Sequence, residues 1–162
     1  MKNIKSMLSD ALLCFVSMYG SAWIAFLIGM IALYIFRGVY HNSATREMYE
    51  NLLGMSIGLL ISFALLVLRY RSQDGIGKKT AKEMTISALI GGGIYWLLWV
   101  ISGGIYAVAV NGYYLCVLIG RQKNGNPTAP GALVGATVFC AVYIAAVILG
   151  SFLARRKRNA RN

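Results

Sequence analysis

No aspartate, glutamate, lysine, arginine or histidine occurs in four long stretches of this chain, residues 11–36, 51–68, 84–120 and 124–154. These run 26, 18, 37 and 31 residues. Charged side chains make up 13% of the chain, where a soluble domain carries about a quarter. The absence bears on chemistry before it bears on fold. Proton relays, voltage sensors and ion-coupled pumps place ionisable groups inside a membrane-spanning bundle. Intramembrane proteases and metal enzymes need an acid, a base or ligands there. The five carboxylates, Asp10, Glu47, Glu50, Asp74 and Glu83, all lie at the margins of the uncharged stretches or between them. HExxH and GxSxG are missing, and GIGKKT lacks the spacing of a phosphate-binding loop. Cysteine is sparse as well. Cys14, Cys116 and Cys140 sit singly in three separate stretches, with no CxxC or Cys/His spacing, and read as small buried apolar side chains. The expectation is therefore no catalytic residue, no metal ligand and no cofactor.

What is present is apolar: 58% of residues are hydrophobic and the mean hydropathy is +0.63. Roughly 20 helical residues cross a hydrocarbon core of about 30 Å. Backbone groups in lipid must bond within their own segment, and the stretches are too uniformly apolar to alternate as barrel strands. The expected fold is all-α: a polytopic, four-transmembrane-helix bundle with short loops, forming one domain. The spans fall at about 11–36, 50–69, 84–106 and 131–154, followed by a basic tail at 155–162. The first span resembles a secretory signal at Lys2 and Lys5 and at Gly20-Ser21-Ala22, but its apolar run continues to Phe36. A signal's core covers only about 7–15 residues, so the segment reads as a retained anchor.

Charge placement sets the expected orientation. With four spans, Lys2, Lys5, Arg69, Arg71, Lys78, Lys79, Lys82, Arg155, Arg156, Lys157, Arg158 and Arg161 share one side, against Arg37, Arg46, Arg121 and Lys123 on the other. Twelve against four puts both termini in the cytoplasm by the positive-inside rule. Dividing residues 85–120 into two spans reduces the asymmetry to nine against seven, so a single span is preferred. The short loops, and the sequon-like Asn126-Pro127-Thr128 blocked by its proline, fit a bacterial inner membrane. The tail offers a candidate contact for anionic lipid. Nucleic acid is not an expected partner, because no aromatic or groove-reading motif accompanies the charge.

The tetrapeptide GGIY occurs at Gly92–Tyr95 and again at Gly103–Tyr106. Eleven helical residues make three turns plus about 20°, so both copies share a face if the helix continues. Such a segment is too long for one crossing, and Ser102-Gly103-Gly104 and Asn111-Gly112 mark where it ends or turns along the outer boundary. Close helix packing is one reading of the glycines. A broken helix exposing backbone groups to a substrate is the other. Small residues also recur elsewhere: Ser21, Ala25 and Gly29; Gly54, Gly58 and Ser62; Gly93 and Gly104; Gly131, Gly135 and Gly150. Lipid gives helices no hydrophobic reason to associate, so these faces are the candidate packing surfaces, within one bundle or between copies.

Polar residues inside the spans are few. Ser56, Ser62, Ser102, Thr137 and Tyr143 are candidates for interhelical hydrogen bonds, and Tyr95, Tyr106 and Asn111 form a candidate path for a neutral solute. Trp96 and Trp99 read as lipid-facing or packed aromatics. In the first loop, Asn42 or Ser43 caps a helix in which Arg46 and Glu50 pair four apart, and His41 reads as a surface side chain. Two functional classes follow. One is a non-catalytic packing or interaction subunit, with copies of itself or another membrane protein as partner. The other is a small oligomeric transporter or channel for a neutral or amphipathic solute. An enzyme is not expected.

Overall fold

The computed structural model describes residues 2–36, 43–73, 75–101 and 129–160, and all regular structure among them is helical. Helix α1 spans Lys2–Phe36, α2 Ser43–Ser72, α3 Ala81–Ile101 and α4 Ala129–Asn159, with a 3-10 turn at Ile76–Lys78 between α2 and α3. Among the described residues no proline interrupts a helix interior. Pro130 stands in the first turn of α4, where its missing N–H has no intrahelical partner to lose. Two stretches, Ile4–Ala32 in α1 and Leu133–Asn159 in α4, are long and apolar enough to cross a membrane. The helices outrun the uncharged stretches: α1 begins nine residues before the apolar run opens at Ala11, and α4 carries the basic run as far as Asn159.

Each helix packs on two neighbours. α1 lies against α2 and α3, and α4 lies against the same two, so α1 and α4 occupy opposite corners, as do α2 and α3. Paired residues give the directions. Ala25 meets Gly58 and Cys14 meets Tyr70, so α1 and α2 are antiparallel. Met7 meets Ser87 and Ala11 meets Gly91, so α1 and α3 run parallel. Gly92 meets Cys140 and Trp96 meets Thr137, so α3 and α4 are antiparallel.

The residue distribution is inverted relative to a water-soluble bundle. On α1 the inward positions are Ala11, Cys14, Ser17, Met18, Ser21, Ala22 and Ala25, whereas Leu12, Val16, Ile24, Leu27 and Ile31 stand outside at 42–60% exposure. Soluble helices turn leucine and isoleucine inward and leave no such continuous apolar exterior. On α1 small side chains bring backbones together and large aliphatic ones cover the outside, while Tyr70, Met84, Phe139 and Tyr143 of the other helices fill the core. Three of the buried hydroxyls are satisfied by their own helices: Ser21 donates to Met18 O at 2.8 Å, Ser62 to Leu59 O at 2.9 Å and Ser151 to Val147 O at 2.8 Å, whereas Ser87 donates across to Met7 O of α1 at 3.4 Å.

Because α2 and α3 stand at opposite corners, their connection crosses the end of the bundle. Gly75 permits the crossing with φ +86°, a conformation that L side chains rarely adopt. Ile76 then plugs the bundle end at 2% exposure. The segment is held from both flanks. Lys79 forms an ion pair with Asp10 of α1, and Arg158 of α4 donates to Gly77 O at 3.3 Å.

Thr80 and Glu83 complete the entry to α3 as a capping box. The Thr80 amide and hydroxyl donate to Glu83 Oε2 at 2.8 and 2.9 Å, and the Glu83 amide donates to Thr80 Oγ1 at 3.2 Å. The Thr80 amide, and after it the hydroxyl, hold the Glu83 carboxyl below its ordinary value of 4.5. A depressed carboxyl stabilises the fold above its unfolded pKa, and that contribution disappears as pH falls through the folded value. Glu83→Gln should therefore lower the thermal midpoint slightly at pH 7 and leave it nearly unchanged at pH 3. Midpoints measured across pH 3–7 check this, and a wild-type and variant difference that is constant over that range contradicts it.

Candidate functional site

The small-residue faces meet at three places. At the first, a Cβ on Gly58 would overlap the Ala25 carbonyl oxygen and lie 3.2 Å from the Gly29 amide nitrogen, so α1 and α2 are in backbone contact there. Ser21 and Ser62, at 6% and 0% exposure, flank this junction. At the second, a Cβ on Gly150 would come within 2.7 Å of Tyr70 Cβ and Val67 O, joining α2 to α4. The third lies along α3. A Cβ on Gly91 would come within 2.5 Å of Ala11 O and 2.8 Å of Cys14 Cβ, and one on Gly92 within 2.6 Å of Ile144 Cδ1.

Among the three consecutive glycines of α3, the one expected to pack is the one that does not. Gly93 is exposed, with nothing within 4 Å of where its Cβ would be. The reason is angular. Successive helical residues are turned by 100°, so Gly91 faces α1, Gly92 faces α4, and Gly93 faces away from both. Gly135 is buried. Gly104 lies outside the described residues, as do Tyr106 and Asn111, and the surroundings of Gly54 and Gly131 lie outside them too.

Tyr95, expected on a solute path, is 3% exposed and sits edge-on to Tyr143 at a centroid distance of 6.1 Å. Phe139 adds a third ring, 6.4 Å from Tyr143. Tyr95 thus fills the space between α3 and α4. Trp96 has a polar partner that spacing along the chain did not reveal: its indole N–H donates to Thr137 Oγ1 at 3.1 Å, while the Thr137 hydroxyl donates to Leu133 O at 2.8 Å. The thiols cross between helices as well. Tyr70 donates its hydroxyl to Cys14 Sγ at 3.3 Å, and Cys140 donates to Gly92 O at 3.1 Å.

Sequence reasoning missed Gly91, the Asp10–Lys79 pair and the Thr80–Glu83 box. Only the last carried a local signal, in the T-x-x-E spacing of Thr80 and Glu83. His41 and Asn42 lie outside the described residues; α2 begins at Ser43, and the side chains of Arg46, Glu47 and Glu50 are outside the description. Among the described residues no three His, Cys, Asp or Glu side chains are grouped to hold a metal ion. No protein-family profile, curated protein or solved structure matches this chain.

Proposed function

We propose that this chain is a four-span integral membrane protein with both ends in the cytosol, acting as a packing or interaction subunit with a second copy of itself or another membrane protein. The observation that carries the reading is the inverted distribution of side chains: Ala, Ser and Cys inside α1, and Leu, Ile and Val outside it. An exterior of that kind is stable against hydrocarbon, and close packing of small residues then holds the helices together. Helix α3, with 21 residues, is about 31 Å long, which suits a crossing beside α1 and α4. The twelve-to-four division of basic residues supports the orientation.

Gly93 supports an interaction role more specifically. It presents bare backbone on the outside of α3 beside the exposed side chains of Ile94 and Leu97, a place where a further helix can approach closely. Orientation is tested with Ala160→Cys in a chain whose native cysteines are replaced by alanine. A membrane-impermeant maleimide should label it only after the cells are permeabilised. Labelling of intact cells overturns the topology. The interaction role is tested by cross-linking in native membranes, where Gly93→Leu should reduce association with copies or partner severalfold. Undiminished cross-linking removes this face from the reading.

A further inference from the structure

At the end of the bundle where α2 stops, a groove of about 460 Å³ opens between α2 and α4, lined by Leu65, Leu68, Arg69, Arg71, Ser72 and Lys157. Its two leucines are 44% and 54% exposed, giving an apolar floor on the outer surface of α2. Its rim holds three cations and no carboxylate. Among the described residues none of the three is ion-paired, in contrast to Lys79, which is bound to Asp10. The Ser72 hydroxyl donates to Arg69 O at 3.0 Å, so the last turn of α2 that carries both arginines is tied to itself.

This arrangement has the polarity of a phospholipid: negative charge above, hydrocarbon below. We infer that the groove is a binding site for an anionic phospholipid of the surrounding bilayer, the phosphate held by Arg69, Arg71 and Lys157 and an acyl chain lying over Leu65 and Leu68. The inference rests on the membrane reading above, which puts this end at the cytosolic face. Arginine suits the role because its planar fork binds two phosphate oxygens at once, while its stem stays along apolar surface. The site differs from general attraction to a basic tail. Two of its three cations come from α2, and its floor demands an acyl chain.

The test uses the full-length protein reconstituted in phosphatidylcholine vesicles with spin-labelled phosphatidylglycerol or spin-labelled phosphatidylcholine, reading the motionally restricted fraction of each by electron spin resonance. Wild type should favour phosphatidylglycerol by about fivefold or more, the effect of a single basic side chain near an anionic surface. Arg69→Gln/Arg71→Gln/Lys157→Gln should abolish the preference. Leu68→Trp, which fills the groove and leaves every charge in place, should also reduce it. Lys78→Gln/Lys82→Gln, which removes two cations outside the groove, should retain it. The site is overturned if wild type shows no preference, if Leu68→Trp leaves the preference intact, or if the Lys78/Lys82 variant loses as much as the groove variant. Competition by millimolar inorganic phosphate without loss of restricted acyl chains likewise assigns the cations to a free anion and overturns the lipid site. Failure of the protein to incorporate into vesicles at all refutes the membrane reading, a result separate from any of these.

Discussion

Gly58→Leu should lower the thermal midpoint of the detergent-solubilised protein by about 10 °C, corresponding to about 3 kcal/mol in a chain of this size. The collision begins at Cβ, before any rotamer is chosen, and its partner is the Ala25 carbonyl oxygen. A backbone atom in mid-helix cannot swing aside as the end of a side chain can. Relief requires α1 and α2 to separate along their contact, which strips dispersion contacts from Ala22, Ala25 and Leu66 as well. Gly20→Leu is the matched control on α1, since nothing lies within 4 Å of the Cβ it adds. Its midpoint should stay within a degree or two of wild type. Equal midpoints for the two variants, measured by circular dichroism or differential scanning fluorimetry, would show that α1 and α2 are not in backbone contact at Gly58.

The second large effect divides neighbours in the sequence. Gly91→Leu should destabilise the bundle by about 3 kcal/mol, whereas Gly93→Leu should leave the monomer's stability unchanged within about 0.5 kcal/mol. Gly91 is surrounded on one side by Ala11 O, Cys14 Cβ and Phe15 N, two of them main-chain atoms, at 2.5–3.0 Å from an added Cβ. Gly92→Leu should fall between the two, because the groups it meets are the terminal atoms of the Ile144 side chain and the Cys140 thiol. The ranking Gly91, Gly92, Gly93 is the informative result. The reverse order would place α3 in the wrong rotation about its axis. Gly93→Leu has a further use, since a loss of association without a loss of stability separates an interaction surface from a structural one.

The helices were legible in the sequence to a large extent, because each follows from an uncharged apolar run too long and too uniform for a strand. The described residues are all helical, in agreement with that reading, and the runs of α1 and α4 are long and apolar enough to cross a membrane. Helix ends were less legible. Charged residues mark the ends of the apolar runs but not of the helices: α1 runs through Lys5 and Asp10 and α4 through Arg155–Arg158, because exposed lysine and arginine are good helix formers. Ala25, Gly29 and Gly58 were each visible as small residues at four-residue spacing, but nothing local said that they meet one another. Gly93 and Gly91 are indistinguishable in the sequence for a related reason. The GGIY repeat drew attention to Gly92 and Gly93, while the direction each glycine faces depends on where α1 and α4 stand.

The Asp10–Lys79 pair shows the same limit at longer range. Its members are 69 residues apart, and each alone reads as one more charge at the end of an apolar run. Only the diagonal placement of α2 and α3 draws the connecting segment across the bundle end to reach α1. The groove between α2 and α4 has the same origin: along the chain Arg69 and Arg71 are loop charges and Lys157 belongs to the basic tail, and only the packing of α2 on α4 brings them together.

By itself the amino-acid sequence determined that this polypeptide forms long apolar helices, because hydropathy and charge are properties of each residue and simply accumulate along the chain. The tertiary structure alone decided which glycine faces which neighbour, which cations find a carboxylate and which remain to line a groove. Those outcomes depend on the rotation of each helix about its axis and on the corner it occupies. Both are set by the described helices packing at once.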